Sequence, residues 1–206
     1  VLDEIVRQGL QYETLRLLAS SRSAGQVVTV AGRDITVERL ARESFAGVDV
    51  VIASTPDEVA AEFIPWAVEA GATVVDESGY FRMDPKVPLI IPEVNAEDVD
   101  HHQGIISSPN CSTTQMVVAL KPLYDAAGLK RVVVSTYQAV SGAGLAAQQE
   151  LLDNTQARIN GQPLGPKIFQ HDIALNLIPQ IGSHKQDGFT SEEMKMVRET
   201  HKTLGD

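Results

Sequence analysis

The stretch Ser107-Ser-Pro-Asn-Cys-Ser-Thr-Thr114 joins a short apolar run, Gly104-Ile-Ile106, to a segment of helical periodicity over 112–127. Met116, Val117, Leu120 and Leu123 recur at helical spacing, and Gly128 stands where a glycine closes a helix. Strand, tight turn and helix in that order form one unit of an α/β fold. The same alternation extends back along the chain. Residues 48–53 read as a buried strand, and Thr55, Pro56 and Glu58 form a capping-box start for a helix that ends at Gly71. Thr73-Val-Val-Asp76 and Leu89-Ile-Ile91 read as further strands, the latter between Pro88 and Pro92, and Asn95 caps a short helix through Val99. Such alternation predicts a parallel sheet with ligands at the strand C-terminal ends, where Ser20-to-Gly25, Ser54, Thr55, Glu77-to-Arg82 and Cys111 all fall.

Upstream, residues 1–9 carry the end of an amphipathic helix, and Leu15-Arg-Leu-Leu-Ala19 is a strand candidate leading into the polar turn at 20–25. Val27 to Val30 and Ile35 to Val37 flank Ala31-Gly-Arg-Asp34 as a hairpin. Trp66 lies beside Phe63 and Ala67 on its helix and reads as core. Downstream the texture changes. Residues 131–140 have the period-two character of a long strand, followed by Ser141-Gly-Ala-Gly144, a polar amphipathic helix over 145–158 and a loop-rich 162–189. Thr190-Ser-Glu-Glu193 is a second capping box, opening a helix that ends at Gly205. A domain boundary is expected near 110.

Composition narrows the function classes. A net charge of −10 disfavours a nucleic-acid or anionic-membrane surface. One cysteine in 206 residues leaves no internal disulfide and fits a reducing, cytoplasmic compartment. No run of 18 apolar residues and no basic-plus-apolar leader is present. The five histidines form no ligand-spaced set, so no metal site is expected.

Cys111 is the candidate nucleophile. A thiol at the start of a helix lies near the positive end of its dipole, which favours the reactive thiolate. A buried structural cysteine is the alternative; the Pro109-Asn110 turn and the hydroxyl residues that follow favour the reactive one. Gln138 precedes a glycine pair that lets backbone approach a flat ligand. Glu192 and Lys195 share a helical face. Arg22 and Ser23 follow a strand, where a guanidinium and a hydroxyl suit a ribose 2′-phosphate, and Arg82 offers a bidentate clamp for phosphate or carboxylate.

With these residues laid out, the chain resembles the aspartate-β-semialdehyde dehydrogenase family over nearly its whole length. LRLLASSRSAG (15–25), VPLIIPEVN (87–95), SPNCSTTQMVVAL (108–120), VVVSTYQAVSGAG (132–144) and EEMKMVRET (192–200) carry the resemblance. It implies a Rossmann-like NADP-binding domain over 1–110 and an incomplete α+β catalytic and dimerisation domain over 111–206. It implies further that Cys111 is the acyl-thioester nucleophile and Gln138 orients the substrate. Arg82, Asn110, Glu192 and Lys195 serve substrate and phosphate; Arg22, Ser23, Ser54, Ser141 and Gly142 serve NADP. The implied reaction is NADPH-dependent reductive dephosphorylation of L-aspartyl 4-phosphate in amino-acid biosynthesis leading to lysine, methionine, threonine and isoleucine, by a homodimer or homotetramer. Against the family pattern, the N-terminal glycine-rich loop and the later segment with a catalytic histidine are missing. Ser54-Thr-Pro-Asp57 replaces a glycine-containing cofactor loop, and Asp76-Glu77 replaces the usual Asp-Asn. The 206-residue chain reads as a fragment, and alone it is expected to be inactive and prone to aggregate. N-Acetyl-γ-glutamyl-phosphate reductase chemistry and a non-enzymatic paralogue on the same fold are the alternatives.

Overall fold

The computed structural model describes residues 1–163, 165–185 and 188–205, and the chain divides into two compact units, Val1–Pro109 and Asn110–Asp206. In the first unit, helix α1 (Leu2–Arg7) is followed by strands β1 (Leu18–Ala19), β2 (Val27–Val30), β3 (Arg33–Thr36) and β4 (Glu38–Arg39). Then come β5 (Val50–Ala53), α2 (Asp57–Glu69), β6 (Thr73–Asp76), the short α3 (Pro92–Asn95) and β7 (Ile105–Ser107). Strands β5, β6 and β7 form a parallel sheet in that order, with Ala53 opposite Asp76 and Asp76 opposite Ser107. The alternation expected from the sequence is therefore present, and β2 and β3 close the expected antiparallel hairpin.

Parallel pairing puts the C-terminal ends of β5, β6 and β7 on one edge, so Ser54, the 77–82 loop and Ser108 emerge together. Backbone bonds prolong the ladder there, from Glu77 N to Ala53 O at 2.9 Å and from Ser108 N to Asp76 O at 2.8 Å. Strand β1, which precedes the Ser20-to-Gly25 turn, pairs in parallel with β4 as a separate two-stranded sheet. That turn thus follows a parallel strand, as expected, but not one of the three-stranded sheet. The core beneath consists of Phe45, Ala53, Ala60, Ile64, Ala67, Ala72 and Val74, with Trp66 and Phe63 packed against it edge to face. Gly104 admits no substituent: it sits at φ +97°, and a Cβ there would lie 2.7 Å from the Val68 side chain.

Four expectations in this unit need correction. Only Leu18 and Ala19 of the 15–19 segment pair as a strand. The Thr55 capping box does not form: Pro56 is extended (ψ 155°) and is itself the N-cap, so helical geometry begins one residue later than the box requires. Leu89 makes one parallel bridge to Ser107, and the run then turns into α3 at Pro92 without becoming a strand. Asn95 does not cap with its side chain. It accepts from Ile91 N and donates to Leu89 O and to Asp98, bracing the turn from inside.

In the second unit, α4 (Cys111–Ala127), α5 (Leu145–Ile159) and α6 (Ser191–Leu204) follow, with α4 packed on α6. Helix α6 begins as its sequence dictates: Thr190 accepts from Glu193 N, the Glu193 carboxylate accepts from Thr190 N, and Gly205 ends it in the left-handed region. Helix α4 ends at Gly128 with φ +68°. Residues 131–139 are not a strand. No ladder partner lies beside them among the described residues, and Val133 and Tyr137 are 77% and 85% exposed. A period-two pattern supplies the faces of a strand but not the neighbour that makes it one. None of the described helices is long and apolar enough to cross a membrane.

Candidate active site

Asn110 organises the start of α4. Its side-chain oxygen accepts from Ser112 N at 2.9 Å and from Thr113 N at 3.4 Å, and its carbonyl accepts from Thr114 N. This is the N-cap geometry that a Pro-Asn turn before a helix encodes. Cys111 is the first residue of α4, exposed and unbridged, so the thiol stands at the helix N-terminus as expected. That exposure does not match a buried structural cysteine.

Helix α6 supplies the second layer. Glu192, with a side chain only 12% exposed, accepts through Oε1 from Asn110 Nδ2 at 2.9 Å and from Gln138 Nε2 at 3.5 Å. Its Oε2 meets Lys195 Nζ at 3.3 Å. Glu192 is thus the hub that joins Asn110, Gln138 and Lys195. An open groove of about 740 Å³ runs past Met116, Ser135, Gln138, Ile181, Glu192 and Met196, within the range of small-molecule sites. Cys111 does not line this groove. Ser141 and Gly142 lie exposed in a single 3-10 turn before α5.

In the first unit, Arg22 and Ser23 occupy the turn after β1, with Arg22 exposed, and Ser54 is exposed after β5. Arg82 differs: it is 8% exposed and donates to the Ser108 and Glu77 carbonyls at 2.9 and 2.8 Å. These bonds fasten the loop after β6, whatever else the guanidinium holds. Gly79 N reaches Asp57 in the same loop.

Two buried acids were not among the expected site residues. Asp76 is fully buried at the end of β6 and accepts from Ser78 N and Ser78 Oγ. Burial pushes its carboxyl above the ordinary range, against the lowering effect of the Ser78 bonds and the Arg82 charge. A carboxyl raised in this way binds its proton longer in the folded than in the unfolded state. It therefore costs stability as pH rises from the unfolded value, about 4, through the folded one. Asp76→Asn keeps both Ser78 partners and removes that cost. Urea unfolding of the whole protein should show the variant gaining on the parent between pH 4 and pH 7; a gain that shrinks over that interval contradicts the assignment.

The second is Glu199, 2% exposed, whose Oε2 accepts from Asn110 N at 2.6 Å. Its position seven residues after Glu192, beside the buried Met196 and Thr203, was the available signal: an acid on the apolar face of α6. Among the described residues no group of three or more His, Cys, Asp or Glu could hold a metal ion.

Residues 1–102 match the family model described as semialdehyde dehydrogenase, NAD binding domain, and residues 120–206 match semialdehyde dehydrogenase, dimerisation domain. The aspartate-semialdehyde dehydrogenase of Bacillus subtilis is 46% identical over 99% of the chain. Aspartate semialdehyde dehydrogenase II of Vibrio cholerae superposes over the whole chain with a TM-score of 0.97 at 42% identity, and that protein has also been solved complexed with ASA. The Candida albicans enzyme solved with NADP matches 61% of the chain and 43% of its own length, at 30% identity and a TM-score of 0.50. The chain spans 61% of the Bacillus protein and 62% of the Vibrio one.

Proposed function

The chain belongs to the aspartate-semialdehyde dehydrogenase family, and on that premise we propose that the whole protein reduces L-aspartyl 4-phosphate to L-aspartate 4-semialdehyde through a thioester on Cys111. One observation carries the reading: an exposed thiol at the N-terminus of α4, with Asn110 linking that terminus to the Glu192–Gln138–Lys195 cluster. The Cys111 thiolate attacks the acyl carbon, forming a C–S bond as the C–O bond to phosphate breaks and its electron pair leaves with phosphate. The N–H of Cys111, which has no partner among the described residues, is the donor proposed for the developing oxyanion. NADPH, when bound, supplies the hydride that reduces the thioester. Collapse of the reduced adduct then returns the thiolate and releases the aldehyde.

Glu192 is the proposed partner of the substrate amine. Its Asn110 bond is short, whereas the Gln138 contact at 3.5 Å is at the limit of a hydrogen bond, so an entering substrate displaces that one most readily. Gln138, released, orients the substrate. The exposed Arg22 and the half-buried Ser23, a cation and a hydroxyl after a parallel strand, fit the 2′-phosphate of NADP; Ser54, Ser141 and Gly142 are the further cofactor contacts proposed. The NADP-bound Candida relative and the ASA-bound Vibrio relative support both ligands. The division at 109/110 supports a cofactor domain over 1–110 and a catalytic and dimerisation domain over 111–206, the latter assembling a homodimer or homotetramer. A cytoplasmic setting, with an unpaired reactive thiol, completes the proposal.

Assay of the whole protein decides the substrate. NADPH oxidation should depend on L-aspartyl 4-phosphate; faster turnover of N-acetyl-γ-glutamyl phosphate, or none of the aspartyl compound, refutes the proposal. Phosphate handling is tested in the reverse, phosphate-requiring direction. Arg82→Ala and Lys195→Ala should each raise the KM for phosphate, by about 10-fold or more for a charge-assisted contact. Arg82→Ala should also lower thermal stability, because the Glu77 and Ser108 carbonyls lose a donor. Unchanged phosphate dependence with collapsed cofactor binding means that both were misassigned.

A further inference from the structure

We propose that Glu199 is a positioning residue for the nucleophile, an inference that rests on the reading of Cys111 as the attacking group. Pro109 has no N–H, so the Asn110 N–H is the last backbone donor before Cys111, and Glu199 Oε2 holds it at 2.6 Å. Asn110 is 7% exposed, so without that acceptor its N–H has no ready access to water. The rest of Asn110 is equally committed: Nδ2 to Glu192, Oδ1 to Ser112 N and Thr113 N, and its carbonyl to Thr114 N. Two carboxylates two turns apart on α6 therefore grip one residue from two sides, Glu192 by its side chain and Glu199 by its backbone. Of the N–H groups at 110–114, the one that remains without a partner among the described residues is that of Cys111. The grip fixes where the thiol and that free donor stand relative to each other and to Glu192. Displacement of about 1 Å in such a constellation costs on the order of 100-fold in rate.

The test uses the whole protein and three variants. Glu199→Gln keeps an acceptor oxygen at the same reach, Glu199→Asp withdraws the carboxylate by one methylene, and Glu199→Leu removes the acceptor. The Leu variant should lose about 10- to 100-fold in kcat with KM within about 3-fold. The Asp variant, which keeps the charge and is the safer folder, should lose about 10-fold in kcat, while the Gln variant retains about a third or more of the parent value. The second readout needs no substrate: alkylation of Cys111 by iodoacetamide, corrected for the folded fraction, should slow about 5-fold or more in the Asp and Leu variants and not in Gln. Parent-like kcat and alkylation in a folded Asp or Leu variant overturn the inference. So does a Gln variant as impaired as Leu, which would make charge, not the hydrogen bond, the operative feature. Should the parent fail to reduce aspartyl phosphate, the proposed function falls while the alkylation rates still decide the role of Glu199.

Discussion

Cys111→Ala in the whole protein is expected to abolish reduction of L-aspartyl 4-phosphate, by on the order of 10⁴- to 10⁶-fold in kcat, the loss that follows removal of a nucleophile acting with its neighbours. The fold should survive the change. Cys111 is exposed, its side chain makes none of the bonds that hold the N-terminus of α4, and alanine is the best helix former to put in its place. Thermal unfolding should therefore move little while turnover disappears. Substantial activity in a well-folded alanine variant would remove Cys111 from the mechanism and leave the Asn110–Glu192 cluster without a chemical purpose.

The second large effect concerns cofactor choice. Arg22→Ala should weaken NADPH binding about 10- to 150-fold, the equivalent of a charge-assisted bond of roughly 1.5–3 kcal/mol, and leave NADH binding nearly unchanged. NADH lacks the 2′-phosphate, so only the phosphate contact separates the two ligands. Arg22 is exposed in the turn after β1, which leaves its guanidinium accessible to a ligand. Titration of both cofactors by fluorescence reads the effect directly. Equal losses for NADPH and NADH would assign Arg22 to the scaffold of the turn.

Local chemistry was legible in the sequence, and pairing at a distance was not. Thr190 and Glu193 specify the start of α6 through bonds within one turn, and both bonds form. Thr73 to Asp76 is a strand with the expected ends because Val74 and Asp76 are fully buried between neighbours on both sides. Residues 131–140 carry an equally good pattern, yet no neighbouring strand lies beside them among the described residues, and the pattern goes unused. The Thr55 box failed by one residue, since the extended Pro56 became the cap. At the candidate site, Asn110, Gln138, Glu192 and Lys195 were named from the sequence and its family resemblance, and hydrogen bonds join them through Glu192. Glu199 was legible only as an acid on the apolar face of α6; its partner, the Asn110 N–H 89 residues away, was not. Arg82 shows the reverse: its type suggested an anion clamp, whereas the bonds to Glu77 and Ser108 show a guanidinium that also holds backbone together.

The thioester on Cys111 is tested most directly by intact-mass analysis followed by peptide mapping. The whole protein is incubated with L-aspartate 4-semialdehyde and NADP⁺ in the absence of phosphate, so that the acyl group forms and has no phosphate to leave with. A single aspartyl adduct should appear on the peptide containing Cys111, and it should vanish on addition of phosphate, with acyl phosphate released. An adduct on any other residue, or none at all under conditions where turnover with phosphate is readily measured, would contradict the account.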